Sequence, residues 1–255
     1  MDSSKREVSL EIPPYLRVYK DGTVERLLYR PNLAPDVPKL PLVIYFHGGG
    51  FFLSSAADPK YHNSLNVLVA KANVVLVSVN YRKAPEHPLP AAYEDSWAAL
   101  KWVASHMSGG GSEDWLSGKI DFSRVFLAGD SAGANMSHHF AIRVGSDPIG
   151  DLKLRGVIMI HPYFWGEEPI GEEKRDTVRK SMVDEWWRFV CPSDKGNDDP
   201  LSTRLWMEPR VFRWVEWEGE IVEIEGVDHV FHIMDPSCEK ALYMVNCLAR
   251  FINQE

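Results

Sequence analysis

The sequence predicts an α/β protein with a mainly parallel central sheet flanked by helices, and three observations lead there. Short, continuous apolar runs recur at 42–46 (LVIYF), 74–79 (VVLVSV), 125–128 (VFLA) and 157–160 (VIMI). Runs of that length without polar alternation suit strands covered on both faces. Stretches of helical periodicity lie between them, at 61–72, 91–106 and 132–144, and strands alternating with helices imply parallel βαβ units. Finally, 255 residues with 45% hydrophobic and 25% charged content fit one soluble domain around one sizeable core.

Taken in order, residues 15–29 (YLRVYKDGTVERLLY) place β-prone residues on both sides of Asp21-Gly22, a dipeptide that supplies the positive φ angles of a tight hairpin. The strand at 42–46 follows a Pro-rich segment and belongs in the middle of the sheet. Beyond Pro162 the alternation stops, and 165–188 is charged and rich in Trp, with a helix expected around 181–190. Residues 220–225 (EIVEIE) alternate like a last strand. Residues 237–252 read as a closing amphipathic helix with Leu242, Val245, Leu248, Ala249 and Ile252 on one face.

The composition excludes several function classes. A formal net charge of −8 argues against a nucleic-acid partner, whose affinity comes mainly from clustered Lys and Arg. No segment has the roughly 18 apolar residues of a membrane span. The three cysteines, Cys191, Cys238 and Cys247, match neither a disulfide framework nor a metal site. Reduced thiols and a start at 1–11 without an apolar leader stretch lead us to expect a cytoplasmic protein. Neither a metal nor an organic cofactor is expected.

Two motifs carry chemistry. Gly129-Asp130-Ser131-Ala132-Gly133 is a G-x-S-x-G pentapeptide between the strand VFLA and the helical stretch 132–144, the strand, sharp turn and helix that a nucleophile elbow requires. The plain alternative is a strand-to-helix turn with Ser131 as N-cap. His47-Gly48-Gly49-Gly50-Phe51 follows the strand LVIYF, and glycines without Cβ let backbone N–H groups converge on the negative oxygen of an acyl-transfer intermediate. Gly48 and Gly49, joined by the N–H of Ala132, are the expected donors. A phosphate cradle would need a following Lys-Ser/Thr or a G-x-G-x-x-G spacing, and neither is present. A serine needs a base. His229, in Gly226-Val227-Asp228-His229-Val230-Phe231-His232, lies after the last expected strand, where this order of motifs puts the histidine. His232 competes with it, and His161 is read as a pocket residue.

These strings, with Asn80 to Pro90 (NYRKAPEHPLP), Asn135 and the Ile160-His161-Pro162 corner, make the chain resemble the plant carboxylesterases related to hormone-sensitive lipase. The resemblance spans nearly the whole chain and implies an α/β-hydrolase fold over 1–255, with cap elements from about 1–20 and 165–200. It also implies an acyl-serine mechanism on small-molecule esters with Ser131 as nucleophile, His229 as base and Gly48, Gly49 and Ala132 as the oxyanion hole. Trp186 and Trp187 are implied near an acyl pocket.

The pattern breaks in two places. The family carries its triad acid after a strand between the cap and the last strand, whereas 201–219 here read LSTRLWMEPRVFRWVEWEG, with no such strand or acid. A pair of early strands is also missing near 25–31, so strands are expected to be absent relative to the family. Asp198 and Asp199 are the remaining acid candidates; Asp228 adjoins His229, and Glu216, Glu218 and Glu220 sit at the wrong end of the expected strand. A strongly slowed esterase is therefore expected. The alternatives are an inactive small-molecule binder like the related hormone receptors, which lack the histidine, and a dehydratase like those that share the fold.

Overall fold

The computed structural model describes residues 8–12, 16–20, 24–26, 38–107, 109–111, 113–203 and 219–254. The chain divides into two compact units, residues 1–38 and 39–255. In the first, β1 (Val8–Ile12), β2 (Leu16–Tyr19) and β3 (Val24–Arg26) form an antiparallel sheet in that order. Leu16 faces Arg26 and Val18 faces Val24, an antiparallel pairing of the two runs expected to form a hairpin. The turn residues themselves, Tyr15 and 27–29 lie outside the described residues.

The second unit holds a four-stranded sheet in the order β5 (Val75–Val79), β4 (Leu40–Phe46), β6 (Ile120–Asp130), β7 (Leu154–Ile160). All three pairings are parallel, as the alternation of strands and helices predicts. Side chains of a strand alternate between faces, and in β4 both sets are buried. Leu42, Ile44 and Phe46 join one core cluster, while Val43 and Tyr45 join another. The first cluster takes in α2 (Ala91–Ser105) and α4 (Ala132–Ser146). The second takes in α1 (Pro59–Ala72) and α7 (Glu239–Ile252). Helices thus cover both faces, and β4 and β6 run through the middle as the continuous apolar runs require.

Local sequence sets the element ends. The Asp58 carboxylate accepts the N–H of Lys60 at 2.9 Å, Pro59 opens α1, and Asn73 closes it in the left-handed region at φ 53°. Two short helices complete the order: α3 (Asp114–Lys119), which the sequence did not announce, and α6 (Phe231–Met234); α5 (Thr177–Val190) realises the helix expected near 181–190.

Three expectations need correction. Residues 220–225 form no strand. Ile221 is 95% exposed, and only Ile224 packs against the core. An alternating pattern makes a strand only where a neighbour completes its ladder, and among the described residues this segment has none. Among the described residues the runs at 75–79 and 154–160 are edge strands with mixed burial rather than central ones. On α7, Leu242 is exposed, while Met244 and Cys247 take part in the buried face.

Candidate active site

The elbow sits at the C-terminal end of β6. Ser131 has φ 51° and ψ −116°, a backbone region costly for a residue with a Cβ, of order 1–3 kcal/mol. Three backbone bonds hold it there. Its N–H donates to Ile160 O at 2.9 Å, and its carbonyl accepts from Tyr163 (3.0 Å) and Asn135 (3.1 Å). The turn also needs its glycines. A Cβ on Gly133 would collide with the Phe46 carbonyl, and one on Gly129 would lie 2.7 Å from the same oxygen. Ser131 makes no side-chain cap bond to α4, so it is not serving as an ordinary N-cap. Its Oγ lies 2.9 Å from Nε2 of His229.

The glycine loop is anchored from below. Tyr81 Oη donates to His47 O at 2.6 Å and its ring stacks on His47 at 4.2 Å, while His47 Nδ1 lies 2.7 Å from its acceptor, Gly48 O. Gly48 N–H is taken: it donates to Tyr61 Oη at 2.8 Å and to Asp130 Oδ1 at 3.1 Å. This corrects the expectation that Gly48 is a free oxyanion donor, because a buried carboxylate beneath the loop binds its N–H first. The positive-φ glycines that follow, Gly49 (φ 104°) and Gly50 (φ 58°), and Ala132 at the first position of α4 donate their N–H groups to no acceptor among the described residues. Helix-start N–H groups are open by construction.

Asp130 was not singled out by sequence reasoning. Its fully buried carboxylate also accepts from Tyr45 Oη (2.9 Å) and Tyr61 Oη (2.7 Å). Desolvation outweighs these bonds and raises its pKa to about 6. The signal available was its place inside the elbow pentapeptide, directly before the nucleophile.

On the base side, His229 as a residue is exposed, but its ring reaches Ser131. Desolvation, then the nearby His161 and Arg179, lower its pKa to about 4, so it is neutral near pH 7 and able to accept a proton. The Ser131 contact makes Nε2 the acceptor and assigns the ring proton to Nδ1. Among the described residues no carboxylate bonds that nitrogen. Asp228 accepts the backbone N–H of His229 at 2.7 Å and faces Arg179 at 3.9 Å. Asp198 accepts from the Glu167 N–H, and Asp199 from Ser193 Oγ and the Leu201 N–H. Glu220 pairs with Arg250. Glu216 and Glu218 lie outside the described residues.

His232 is buried, both its ring nitrogens lack hydrogen-bond partners among the described residues, and burial lowers its pKa to about 3; it is not within the Ser131 contact. His161 is far closer to the chemistry than a pocket residue need be. Its ring stacks on His229 at 5.5 Å and 26°, and its Nδ1 accepts the Val230 N–H at 2.8 Å. The two tryptophans part company. Trp187 is fully buried against Phe51 and Tyr163, whereas Trp186 is 38% exposed and edge-on to Phe52, just past the glycines.

Comparison with known proteins bears on the family and the fold. A family model described as alpha/beta hydrolase fold matches residues 43–214. A probable carboxylesterase of Arabidopsis thaliana is 44% identical over all of this chain and 99% of its own length. That alignment runs over 322 positions against 255 residues here, so the relative carries tens of residues with no counterpart in this chain. A 2-hydroxyisoflavanone dehydratase of Glycyrrhiza echinata is 34% identical, covering 98% of each chain. Among solved structures, an esterase of Pyrobaculum calidifontis superposes with a TM-score of 0.68 at 24% identity, over 93% of this chain and 79% of its own, which speaks for the fold. With a strained serine at the end of the central parallel strand and full-length likeness to plant enzymes, the chain belongs to the α/β-hydrolase fold family, in its plant carboxylesterase branch.

Proposed function

We propose that this protein hydrolyses small-molecule carboxylic esters through an acyl-serine intermediate, and the 2.9 Å contact between Ser131 Oγ and His229 Nε2 carries the reading. Ser131 Oγ attacks the ester carbonyl as His229 Nε2 takes its proton. The carbonyl oxygen becomes an oxyanion, received by the open N–H groups of Gly49, Gly50 and Ala132, each worth about 3 kcal/mol in the barrier. The intermediate expels the alcohol, which leaves with the proton held on His229. Water, deprotonated by the same nitrogen, then attacks the acyl-serine and frees the acid. Residues 165–200 act as a cap in this reading, supported by the contacts of Trp186 and Phe189 with Phe52.

The step that suffers is the one that charges His229. A triad acid fixes the imidazole tautomer and stabilises the imidazolium, and a pKa near 4 describes a ring poorly supported as a cation. Turnover is therefore slow, and activated esters, whose leaving groups need little protonation, are the best substrates. Dehydration, suggested by one relative's name, could use the same base, but the serine in contact with it favours acyl transfer. A cytoplasmic location belongs to this proposal, supported by three cysteines that form no disulfide.

The test combines labelling with kinetics. A fluorophosphonate probe should modify Ser131 alone, and His229→Ala should reduce p-nitrophenyl acetate hydrolysis to the level of Ser131→Ala, while His232→Ala stays within about tenfold of the parent. Labelling at another residue, or equal losses in the two histidine variants, would show the site has been misassigned.

A further inference from the structure

The base has no described carboxylate on Nδ1, yet it is held on Ser131, and something must hold it. We propose that His161 is the residue that positions His229, by accepting the backbone N–H of Val230 and supporting the His229 ring by stacking. This inference rests on the reading of Ser131 and His229 as the catalytic pair.

Three observations meet at His161. It leaves β7 with φ 45°, a left-handed conformation that a residue with a Cβ rarely adopts; the preceding residue, Ile160, connects to the elbow, since its carbonyl accepts the Ser131 N–H. The nucleophile and His161 therefore hang from the same strand end. Its Nδ1 accepts the Val230 N–H at 2.8 Å. Val230 is itself in the left-handed region at φ 51°, so this single bond pins the backbone turn directly after the base. Finally, its ring lies 5.5 Å from that of His229 at 26°, covering one face of the imidazole.

To accept from Val230, Nδ1 must be unprotonated, which puts the His161 proton on Nε2. Burial lowers its pKa from the usual histidine value, which keeps the acceptor available at neutral pH. The groups around the pair are His232 and Phe231 of α6, Asp228 of the base loop and Arg179 of α5. Asp228 is turned to its neighbour's N–H and to Arg179, so it supplies no competing hold on the ring. What His161 offers is position. As a neutral ring it adds no negative charge beside the imidazolium, so it orients the base without replacing the acid's electrostatic part.

The experiment compares the full-length parent with His161→Ala and His161→Asn, whose amide oxygen can still accept the Val230 N–H. Misplacing a catalytic group by about 1 Å costs about 10²-fold, so His161→Ala should lower kcat for p-nitrophenyl acetate by about 10- to 100-fold with KM within about threefold. His161→Asn should recover most of that loss. A second readout needs no turnover: the His229 imidazole resonance, titrated by NMR, should show a higher pKa in His161→Ala, because the ring that covers and desolvates it has gone. Folded variants with kcat within twofold of the parent, an Asn variant as slow as the Ala one, or an unchanged His229 titration would each overturn the proposal. If instead the parent neither hydrolyses the ester nor takes the fluorophosphonate, the catalytic reading fails, and the NMR titration still decides whether His161 holds His229.

Discussion

The two halves of the site are built differently. From 125 to 138, through β6, the elbow and the start of α4, every residue is buried; from 219 to 231, through the base and its approach, none is. Ser131 is tied by three backbone bonds and by glycines that sit against Phe46. His229 depends on its contact with Ser131 and on neighbours hung from β7. The nucleophile and oxyanion side is made from contiguous motifs on the two central strands. The base side needs groups delivered by more distant chain, and among the described residues no carboxylate reaches His229 Nδ1.

The comparison can be broken by mutation. Phe46→Ala removes a fully buried ring under the elbow, in contact with Phe140 at 5.1 Å, and should destabilise the protein by about 3–5 kcal/mol. Ile221→Ala, at 95% exposure, should change stability by less than about 0.5 kcal/mol. Urea unfolding of both variants checks this; a comparable cost at Ile221 would mean that the base-side segment is packed after all.

A pH series sharpens it further. His47 and His138 on the buried side and His232 beyond the base have pKa values lowered to about 4, 4 and 3. Folded pKa values below the unfolded one mean that stability is full above about pH 6.5 and is lost as the pH falls towards those values, by up to about 2 kcal/mol each at pH 5. Asp130, raised to about 6, acts in the opposite sense: its contribution is present below about pH 4 and is lost as pH rises through 6. These histidines, with His229 lowered to about 4 in the same sense, outnumber Asp130 and predict a net loss of stability between pH 7 and 5, measured by urea unfolding. His232→Phe should remove the smaller share of that slope, since the other lowered histidines remain. A flat profile would contradict the burial assigned to these rings.

How legible this was in the sequence follows the same division. The runs at 42–46 and 125–128, the elbow and the His229 string were readable because each is local: a strand buried on both faces, a turn that only glycine fits, a histidine after the last expected strand. What escaped was set by distant partners. Gly48 reads as an oxyanion donor until Asp130, 82 residues away in sequence, is seen to take its N–H. The pattern EIVEIE reads as a strand, but a strand exists only if a neighbour pairs with it. His161 was visible at its corner, yet its bond to Val230 spans 69 residues, and periodicity carries no trace of that.

The nucleophile side is built, while among the described residues no carboxylate supports the charged form of His229. The most direct measurement is kcat for p-nitrophenyl acetate on purified, folded protein beside the same measurement on an intact plant carboxylesterase. Loss of a triad acid's function costs about 10⁴-fold in turnover while a residual rate persists. Turnover should be lower by about that factor and abolished by Ser131→Ala. Turnover within about tenfold of the intact enzyme would contradict this expectation and require a carboxylate on His229 Nδ1.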